Sequence, residues 1–328
     1  MKPRIVFMGT PEFAVPSLEA LIEQDYPVVG VVTTTDKMGG RGGKRLLESA
    51  VKKCAQKHNI PILQPTKLRD ESFLSDLRRW NADLQIVVAF RMLPEVVWSM
   101  PKLGTFNLHG SLLPKYRGAA PINWAIIKGE EKTGLTTFFI RHQIDTGDML
   151  LQAETPIGPN ETAGDLHDRM MGKGADLVVE TVQLIESGDY KLKKQDDTLA
   201  TPAPKLNRAN CQINWNQPAQ EVHDFIRGLS PYPAAWTVST RGSLPAGRTQ
   251  AGLNNENKSD NLKIFESHPI IEDHDHPPGT LLTNNKDYIK VACLDGFIDI
   301  KRLQVEGRKR MAVKDLLNGY DFEEIKFD

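Results

Sequence analysis

The first part of the chain alternates short apolar runs with stretches whose apolar residues recur every three or four positions. The runs 4–9 and 28–34 are almost continuously apolar, which is typical of strands buried on both faces of a sheet. Between them, Val15, Leu18 and Leu21 stand at helical spacing. Strand, helix and strand at this spacing predict βαβ units, so we expect an α/β fold with a doubly wound, mostly parallel sheet.

The alternation of predicted strands and helices continues to residue 190 and ends in one long helical stretch. This stretch, 161–187, contains Gly172 and Gly174. Glycine costs a helix about 1 kcal/mol relative to alanine, so we expect an interruption at these two residues.

The pattern of hydrophobic and polar residues changes after residue 190. The polar stretch 191–205 contains Pro202 and Pro204 and is predicted to be a linker. Beyond it, short apolar runs separated by glycine, asparagine and proline turns predict a small antiparallel barrel or sandwich. The predicted organisation is therefore a larger domain over 1–190, a linker over 191–205 and a smaller β domain over 206–328.

The composition is that of an ordinary globular protein. Of the 328 residues, 40% are hydrophobic and 25% are charged, and the formal net charge of −1 selects no particular partner. Cys54, Cys211 and Cys293 are far apart and form no Cys-x-x-Cys pair, which argues against a disulfide framework or a zinc site and fits a reducing cytoplasm. No apolar run approaches the ~18 residues of a membrane span, so we expect a cytoplasmic protein without a membrane partner.

Two polar residues stand at the end of a strand predicted over 105–109. Asn107 and His109 are two positions apart, so their side chains share one face of the strand. An amide donor next to an imidazole suits an acyl-transfer site, where a developing oxyanion needs a donor beside an acid or base. The alternative is a polar strand end that faces water.

Asp145 is the candidate partner for this imidazole. It lies 36 residues after His109, on the loop that follows the next long strand. In a doubly wound sheet, neighbouring strand ends bring such loops together, so a carboxylate here can face and orient the imidazole. Taken alone, the Asp-Thr-Gly-Asp pattern is more often an ordinary turn.

A glycine-rich basic loop follows the second predicted strand. Residues 36–57 carry seven lysines and arginines against two acidic residues, a local net charge of +5. The loop is not a P-loop, because Met38 and Arg45 stand where that motif requires a glycine and a serine or threonine. Its charge suits a phosphate backbone, and a solvated loop with a solvated helix face is the alternative.

Several segments together resemble the folate-dependent formyltransferases, and in particular the methionyl-tRNA formyltransferase family. They are Phe7 to Ala14 (FMGTPEFA), Asn107 to Pro114 (NLHGSLLP), Arg117 to Pro121 (RGAAP) and Asp145 to Asp148 (DTGD). The resemblance implies a formyltransferase Rossmann-like domain followed by an OB-like, tRNA-binding β-barrel. It also implies transfer of the formyl group of 10-formyltetrahydrofolate to the α-amino group of methionyl-initiator tRNA for translation initiation, without a metal.

The resemblance further implies roles for individual residues. The catalytic trio would be Asn107, His109 and Asp145. The residues that would contact the folate are Ser111, Leu112, Leu113, Pro114, Val88, Phe90, Leu93, Gln143 and Ile144, and those that would contact tRNA are Arg41, Lys44 and Arg45. The alternative is a formyltransferase for an amino-sugar nucleotide or a ribonucleotide amine, which would share the trio but would not need the basic loop or this second domain. A monomer is the simplest expectation.

Overall fold

The structure is a computed structural model that describes residues 1–39, 45–241, 260–319 and 325–327. The chain divides into two compact units. The first comprises Met1–Pro121, Lys132–Pro156 and Leu166–Pro204, and the second comprises Ile122–Glu131, Ile157–Asp165 and Lys205–Asp328. The domain boundaries drawn from the sequence stay a prediction.

The first unit is built on a seven-stranded sheet. In chain order, the strands up to residue 204 are β1 (Ile5–Gly9), β2 (Val28–Val32), β3 (Lys37–Gly39), β4 (Arg45–Leu47), β5 (Ile62–Leu63), β6 (Leu84–Val88), β7 (Thr105–His109), β8 (Arg117–Gly118), β9 (Lys132–Phe139), β10 (Met149–Pro156) and β11 (Pro202–Ala203). Among the described residues, the sheet order is β10–β9–β7–β6–β1–β2–β5, while β3 with β4 and β8 with β11 form two-stranded ribbons. The strands from β7 to β5 are parallel, and β9 and β10 are antiparallel at one edge. The predicted doubly wound, mostly parallel sheet is confirmed.

The helices of this stretch follow the predicted pattern. In chain order they are α1 (Val15–Glu23), α2 (Ala50–Lys57), α3 (Glu71–Arg79), α4 (Glu95–Trp98), α5 (Pro121–Ile127) and α6 (Ala163–Ser187). The hydroxyl of Ser49 caps α2 by accepting a hydrogen bond from the Lys52 amide at 3.0 Å, which satisfies one free N–H of the first turn. Within the part of the chain that the structure describes, no helix combines the length and the apolar character that a membrane span needs.

The helix α6 is continuous over 25 residues, so the predicted interruption at Gly172 and Gly174 was wrong. Gly174 allows close packing, because a Cβ there would lie 2.9 Å from Cδ2 of Leu108 on β7. The apolar face of α6 is buried, with Met170 and Val178 fully inaccessible. Burial stabilises each such side chain by about 1.5–3 kcal/mol, which outweighs the cost of about 1 kcal/mol per glycine.

The central strands β1 and β6 are buried along their whole length. On one face of the sheet, Val6 packs in a core cluster with Phe73 and Leu77 of α3. From β1 the chain order runs to β2 on one side of the sheet and later to β6 on the other, so the direction of winding reverses between β1 and β6. Open α/β sheets bind their ligands in the crevice at the carboxyl ends of the strands at such a reversal.

The second unit contains a curled antiparallel sheet and its covering helix. Its elements from residue 205 onward are α7 (Ala219–Leu229), β12 (Ala235–Arg241), β13 (Asp260–Ile271), β14 (Leu281–Thr283), β15 (Ile289–Ala292), β16 (Gly296–Val305), β17 (Met311–Ala312), α8 (Val313–Leu317) and β18 (Ile325–Phe327). The described strands are ordered β14–β15–β16–β13–β12–β18, with β17 paired to β16. Near the two ends of this order, the N–H of Phe327 donates to the carbonyl of Gly279 at 3.1 Å. The predicted small β-barrel domain is confirmed in the form of a half-barrel.

Candidate active site

Strand β7 presents Asn107 and His109 on one face, as the alternation of side chains predicts. Asn107 is half-buried, and among the described residues its amide has no hydrogen-bond partner, which leaves it available to a ligand. His109 is only 5% exposed, and its ring stands edge-on to that of Phe138. Its Nε2 donates to the carbonyl of Tyr116 at 2.8 Å, so Nε2 carries a proton and Nδ1 faces away from this bond.

Asp145 lies beside this imidazole. Its Oδ2 is 3.8 Å from Nδ1 of His109, and both side chains are largely shielded from solvent. The sequence argument expected this proximity because parallel strands end at the same edge of a sheet. That reason was wrong, because β9 runs antiparallel to β7. Other segments of the first unit hold the loop between β9 and β10 near the imidazole.

The segment 116–118 holds both groups. Its first residue accepts the hydrogen bond of the imidazole, and the N–H of Gly118 donates to Oδ2 of Asp145 at 2.9 Å. Between them, Arg117 donates through Nε and Nη2 to Oε1 of Gln195, at 3.1 and 2.8 Å. Because β8 pairs with β11, the site is braced by the last part of the first unit.

Gln195 is a residue of this site that the sequence analysis missed, because it placed 191–205 in a linker. The side chain is 5% exposed, and its Nε2 donates to the carbonyls of Asp145 and Gly147 at 2.9 and 2.8 Å. Asp145 has a φ of +54°, a conformation that costs a non-glycine residue about 1–3 kcal/mol unless its surroundings impose it. Gln195 supplies part of that support. A glutamine in a polar stretch gives no sequence signal of this role.

The turn 111–114, which the resemblance assigns to folate binding, is fixed by the two antiparallel strands. Oγ1 of Thr136 on β9 donates to the carbonyl of Ser111 at 2.7 Å and accepts from the N–H of Leu113 at 3.1 Å. Gln152 on β10 donates to the carbonyl of Leu113 at 2.9 Å. Ser111 and Leu113 are buried, and Leu112 and Pro114 are half-buried. The turn is therefore rigid, and Leu112 and Pro114 provide most of its accessible surface.

The other predicted folate residues lie on two further segments of the first unit. Val88 and Leu93 are buried, Phe90 is half-buried, and Gln143 and Ile144 are exposed. Val88 ends β6 at the reversal point beside β1, and Phe90 follows it in the loop. The side chain of Leu93 belongs to the hydrophobic core, so it shapes the loop by packing. The two exposed residues directly precede Asp145.

The basic loop includes a short antiparallel ribbon, β3 with β4, which the sequence analysis did not predict. Arg41 and Lys44 lie outside the described residues. Arg45 is exposed on β4. Lys52 on α2 is paired with Asp36, so its charge is offset. Lys37 and Arg45 are exposed on the ribbon, and Lys53 is exposed on α2.

Both parts of the chain match models of one protein family. Residues 3–182 match the formyl transferase model, and residues 205–321 match the model of the formyl transferase C-terminal domain. A methionyl-tRNA formyltransferase of Flavobacterium johnsoniae is 52% identical over 324 residues, which cover 98% of each chain. That of Bacteroides fragilis is 50% identical over 325 residues, which cover 98% of this chain and 96% of the relative.

Solved structures share the fold at lower identity. An N-formyltransferase from Helicobacter canadensis, in complex with folinic acid and dTDP-3-aminofucose, matches with a TM-score of 0.62 and 21% identity, over 94% of this chain and all of that one. A HypX variant from Aquifex aeolicus also reaches a TM-score of 0.62, at 17% identity, over 98% of this chain and 49% of that one. The chain thus belongs to the formyl transferase family, in the branch whose curated members are methionyl-tRNA formyltransferases.

Proposed function

We propose that the chain transfers the formyl group of 10-formyltetrahydrofolate to the α-amino group of methionyl-initiator tRNA and so supplies N-formylmethionyl-tRNA for translation initiation. Relatives of this name at about 50% identity support the choice of substrates. The single observation that carries the chemistry is the 3.8 Å approach of Asp145 to the imidazole of His109. The proposal includes a monomer that acts in the cytoplasm.

Formyl transfer needs a neutral amine, a stabilised oxyanion and a route for one proton. In the proposed mechanism the amine attacks the formyl carbon, and Asp145 accepts the proton that the amine loses, directly or through water. The amide of Asn107 and Nδ1–H of a protonated His109 donate to the oxyanion, because Nε2 is committed to a backbone carbonyl. The tetrahedral intermediate collapses as the bond from the formyl carbon to the folate nitrogen breaks, and the proton passes to that nitrogen.

Gln195 serves this mechanism as a positioning residue. It touches the backbone of the Asp145 loop and not the reacting groups. Its amide orientation is settled by Arg117, which has only donors to offer and so must meet Oε1. Together they hold Asp145 in the geometry that the proton transfer requires.

The two substrates are proposed to bind at different segments of the chain. The folate would lie in the crevice at the carboxyl ends of β1 and β6, against Val88, Phe90 and the turn 111–114, with Gln143 and Ile144 beside it. Ser111, Leu113 and Leu93 would shape this surface through packing. Arg41, Lys44 and Arg45 would bind phosphates of the tRNA, and the second domain would make tRNA contacts of its own.

Replacement of Asn107 or His109 by alanine tests the assignment of the oxyanion donors. Removal of one such donor is expected to lower kcat by about 10²–10³. Binding of the tRNA should be unchanged, because neither side chain is assigned to it. Turnover is followed as formyl transfer to methionyl-tRNA, and binding by fluorescence anisotropy. Near-normal turnover in both variants would contradict the assignment of Asn107 and His109 as oxyanion donors.

The identity of the formyl acceptor is tested by offering the enzyme different amines. The enzyme is given formyl-tetrahydrofolate with charged initiator tRNA, charged elongator tRNA or an amino-sugar nucleotide. We expect transfer to the initiator tRNA alone. Transfer only to the sugar would overturn the proposed substrate and leave the roles of Asn107 and His109 intact.

A further inference from the structure

We propose that Glu19, Cys54 and His58 form a zinc-binding site on the first unit. The cysteine spacing predicted no metal site, because the chain contains no Cys-x-x-Cys pair. The proposed site uses one residue of each ligand type and is independent of the proposed catalytic centre. The proposed catalytic pair, Asn107 and His109, lies on β7. In the sheet, β6 and β1 lie between β7 and β2, and α1, which carries Glu19, directly precedes β2 in the chain.

The fold brings the three side chains together from two helices. Cys54 lies on α2, and His58 follows at the carboxyl-terminal cap of the same helix, four residues later. Residues at this spacing share one helix face. Glu19 lies on α1, which packs beside α2. One ligand atom from each residue lies within 4.8 Å of the other two. Zinc binding requires these atoms to move closer together, because each ligand atom lies about 2.0–2.3 Å from the metal.

A buried nitrogen without a partner points to a ligand at this place. Nε2 of His58 is shielded from solvent and makes no hydrogen bond within the described part of the chain. A buried polar atom left unpaired costs about 1–3 kcal/mol, so native proteins rarely leave one without a water or an ion. The other ring nitrogen does not share this burial. A metal bound to Nε2 would satisfy the unpaired atom.

The donor set selects the metal. A thiolate, an imidazole and a carboxylate together suit Zn²⁺, which accepts sulfur, nitrogen and oxygen ligands in tetrahedral geometry. Three protein ligands leave the fourth position to water. A cysteine binds a metal as its thiolate. Binding therefore transfers one proton from Sγ to solvent as the zinc–sulfur bond forms.

One existing contact must give way. An oxygen of Glu19 is 3.4 Å from Nζ of Lys57, whose side chain is 69% exposed. An exposed ion pair of this kind contributes about 0–1 kcal/mol, and the lysine can turn to solvent at little cost. A divalent cation is the stronger competitor for the carboxylate.

The test uses tag-free full-length protein stripped with a chelator. Calorimetric titration with Zn²⁺ should give one equivalent, and Co²⁺ should give a thiolate-to-cobalt charge-transfer band in the near ultraviolet. We expect Cys54→Ser to remove the band, and we expect His58→Ala and Glu19→Gln each to weaken Zn²⁺ binding by at least about 10-fold. Glu23→Gln removes the same charge from an exposed position on α1 and is the matched control, expected to bind as the wild type does.

The outcomes separate cleanly. Failure of the wild-type protein to bind one equivalent would overturn the site, as would wild-type affinity in both His58→Ala and Glu19→Gln. Neither of these two residues is fully buried, so their variants decide the question even where Cys54→Ser does not fold. An increase in the thermal midpoint with Zn²⁺, lost in His58→Ala, would support it.

Discussion

At the scale of single residues, Gln195 allows the positioning of the proposed catalytic residue Asp145 to be tested without changing Asp145 itself. In Gln195→Leu, the volume is kept and the hydrogen bonds to Asp145 and Gly147 are lost. Small displacements of a reacting group cost up to about 10²-fold, so we expect kcat to fall by about 10- to 100-fold. The KM values for folate and tRNA should change little, because Gln195 lies on neither proposed surface. Steady-state kinetics with each substrate varied in turn measures both effects.

The control for this change is Gln56→Leu, the same substitution at an exposed position of α2. It should leave both kinetic constants unchanged. A wild-type kcat in Gln195→Leu would remove its positioning role. A rise in both KM values without a change in kcat would assign Gln195 to substrate binding instead.

The same scale shows what a sequence can reveal about a site. Asn107 and His109 were found because strand alternation is a local rule that fixes which side chains share a face. The proximity of Asp145 to His109 was predicted correctly, but the reason given, a common edge of parallel strands, was wrong. The loop of Asp145 is held by contacts from 116–118 and Gln195. Those contacts join segments far apart in the chain, and no local rule predicts them.

At the scale of elements, the β3–β4 ribbon is the part of the first domain that we assign to tRNA. Replacement of Arg45, exposed on β4, by alanine should raise the KM for tRNA and leave kcat at saturation unchanged. Loss of one phosphate contact lowers the slope of log affinity against log salt by about 1. Measurements of tRNA affinity over a range of salt concentrations test this expectation.

Lys191→Ala is the comparison for the ribbon, because it removes one exposed positive charge outside it. An equal effect of both changes would mean that only overall charge matters. An unaltered KM and salt slope in Arg45→Ala would count against the ribbon as a tRNA surface.

Most elements followed from periodicity, and the exceptions have physical causes. The break expected at Gly172 and Gly174 is absent because tertiary packing of α6 outweighs helix propensity. The ribbon beside the basic loop went unpredicted because its strands of three residues each are too short to show alternation. The antiparallel direction of β9 is set by its pairing with β7, a contact between distant segments.

At the scale of the whole molecule, a buried histidine makes stability depend on pH. His223 on α7 is 3% exposed, and its Nδ1 lies 3.1 Å from the hydroxyl of Ser267. Burial lowers the pKa of His223 below its usual 6.5; the neighbouring Asp224 acts in the opposite direction, and Arg227 and His268 add to the lowering. The folded protein therefore keeps the ring neutral at a pH where the unfolded chain takes up a proton.

The free energy of unfolding should consequently decrease as the pH falls below 6.5. The decrease should end once the pH is below the lowered pKa that His223 has in the folded protein. One group contributes a slope of at most about 1.4 kcal/mol per pH unit. In His223→Asn, an amide that does not titrate can face Ser267, so the free energy of unfolding should depend less on pH. Urea unfolding between about pH 5 and 8 measures it. His276→Asn, at an exposed position that does not act on the pKa of His223, is the control, and equal slopes in wild type and His223→Asn would contradict the assignment.

The pairing of β8 with β11 has a consequence for the order in which the protein matures on the ribosome. A nascent chain of 190 residues already contains Asn107, His109 and Asp145, yet it lacks both Gln195 and the strand that braces the segment 116–118. The proposed catalytic geometry is therefore completed only when residues up to Ala203 have emerged. An enzyme proposed to prepare the first aminoacyl-tRNA of translation would gain its own activity late in its synthesis.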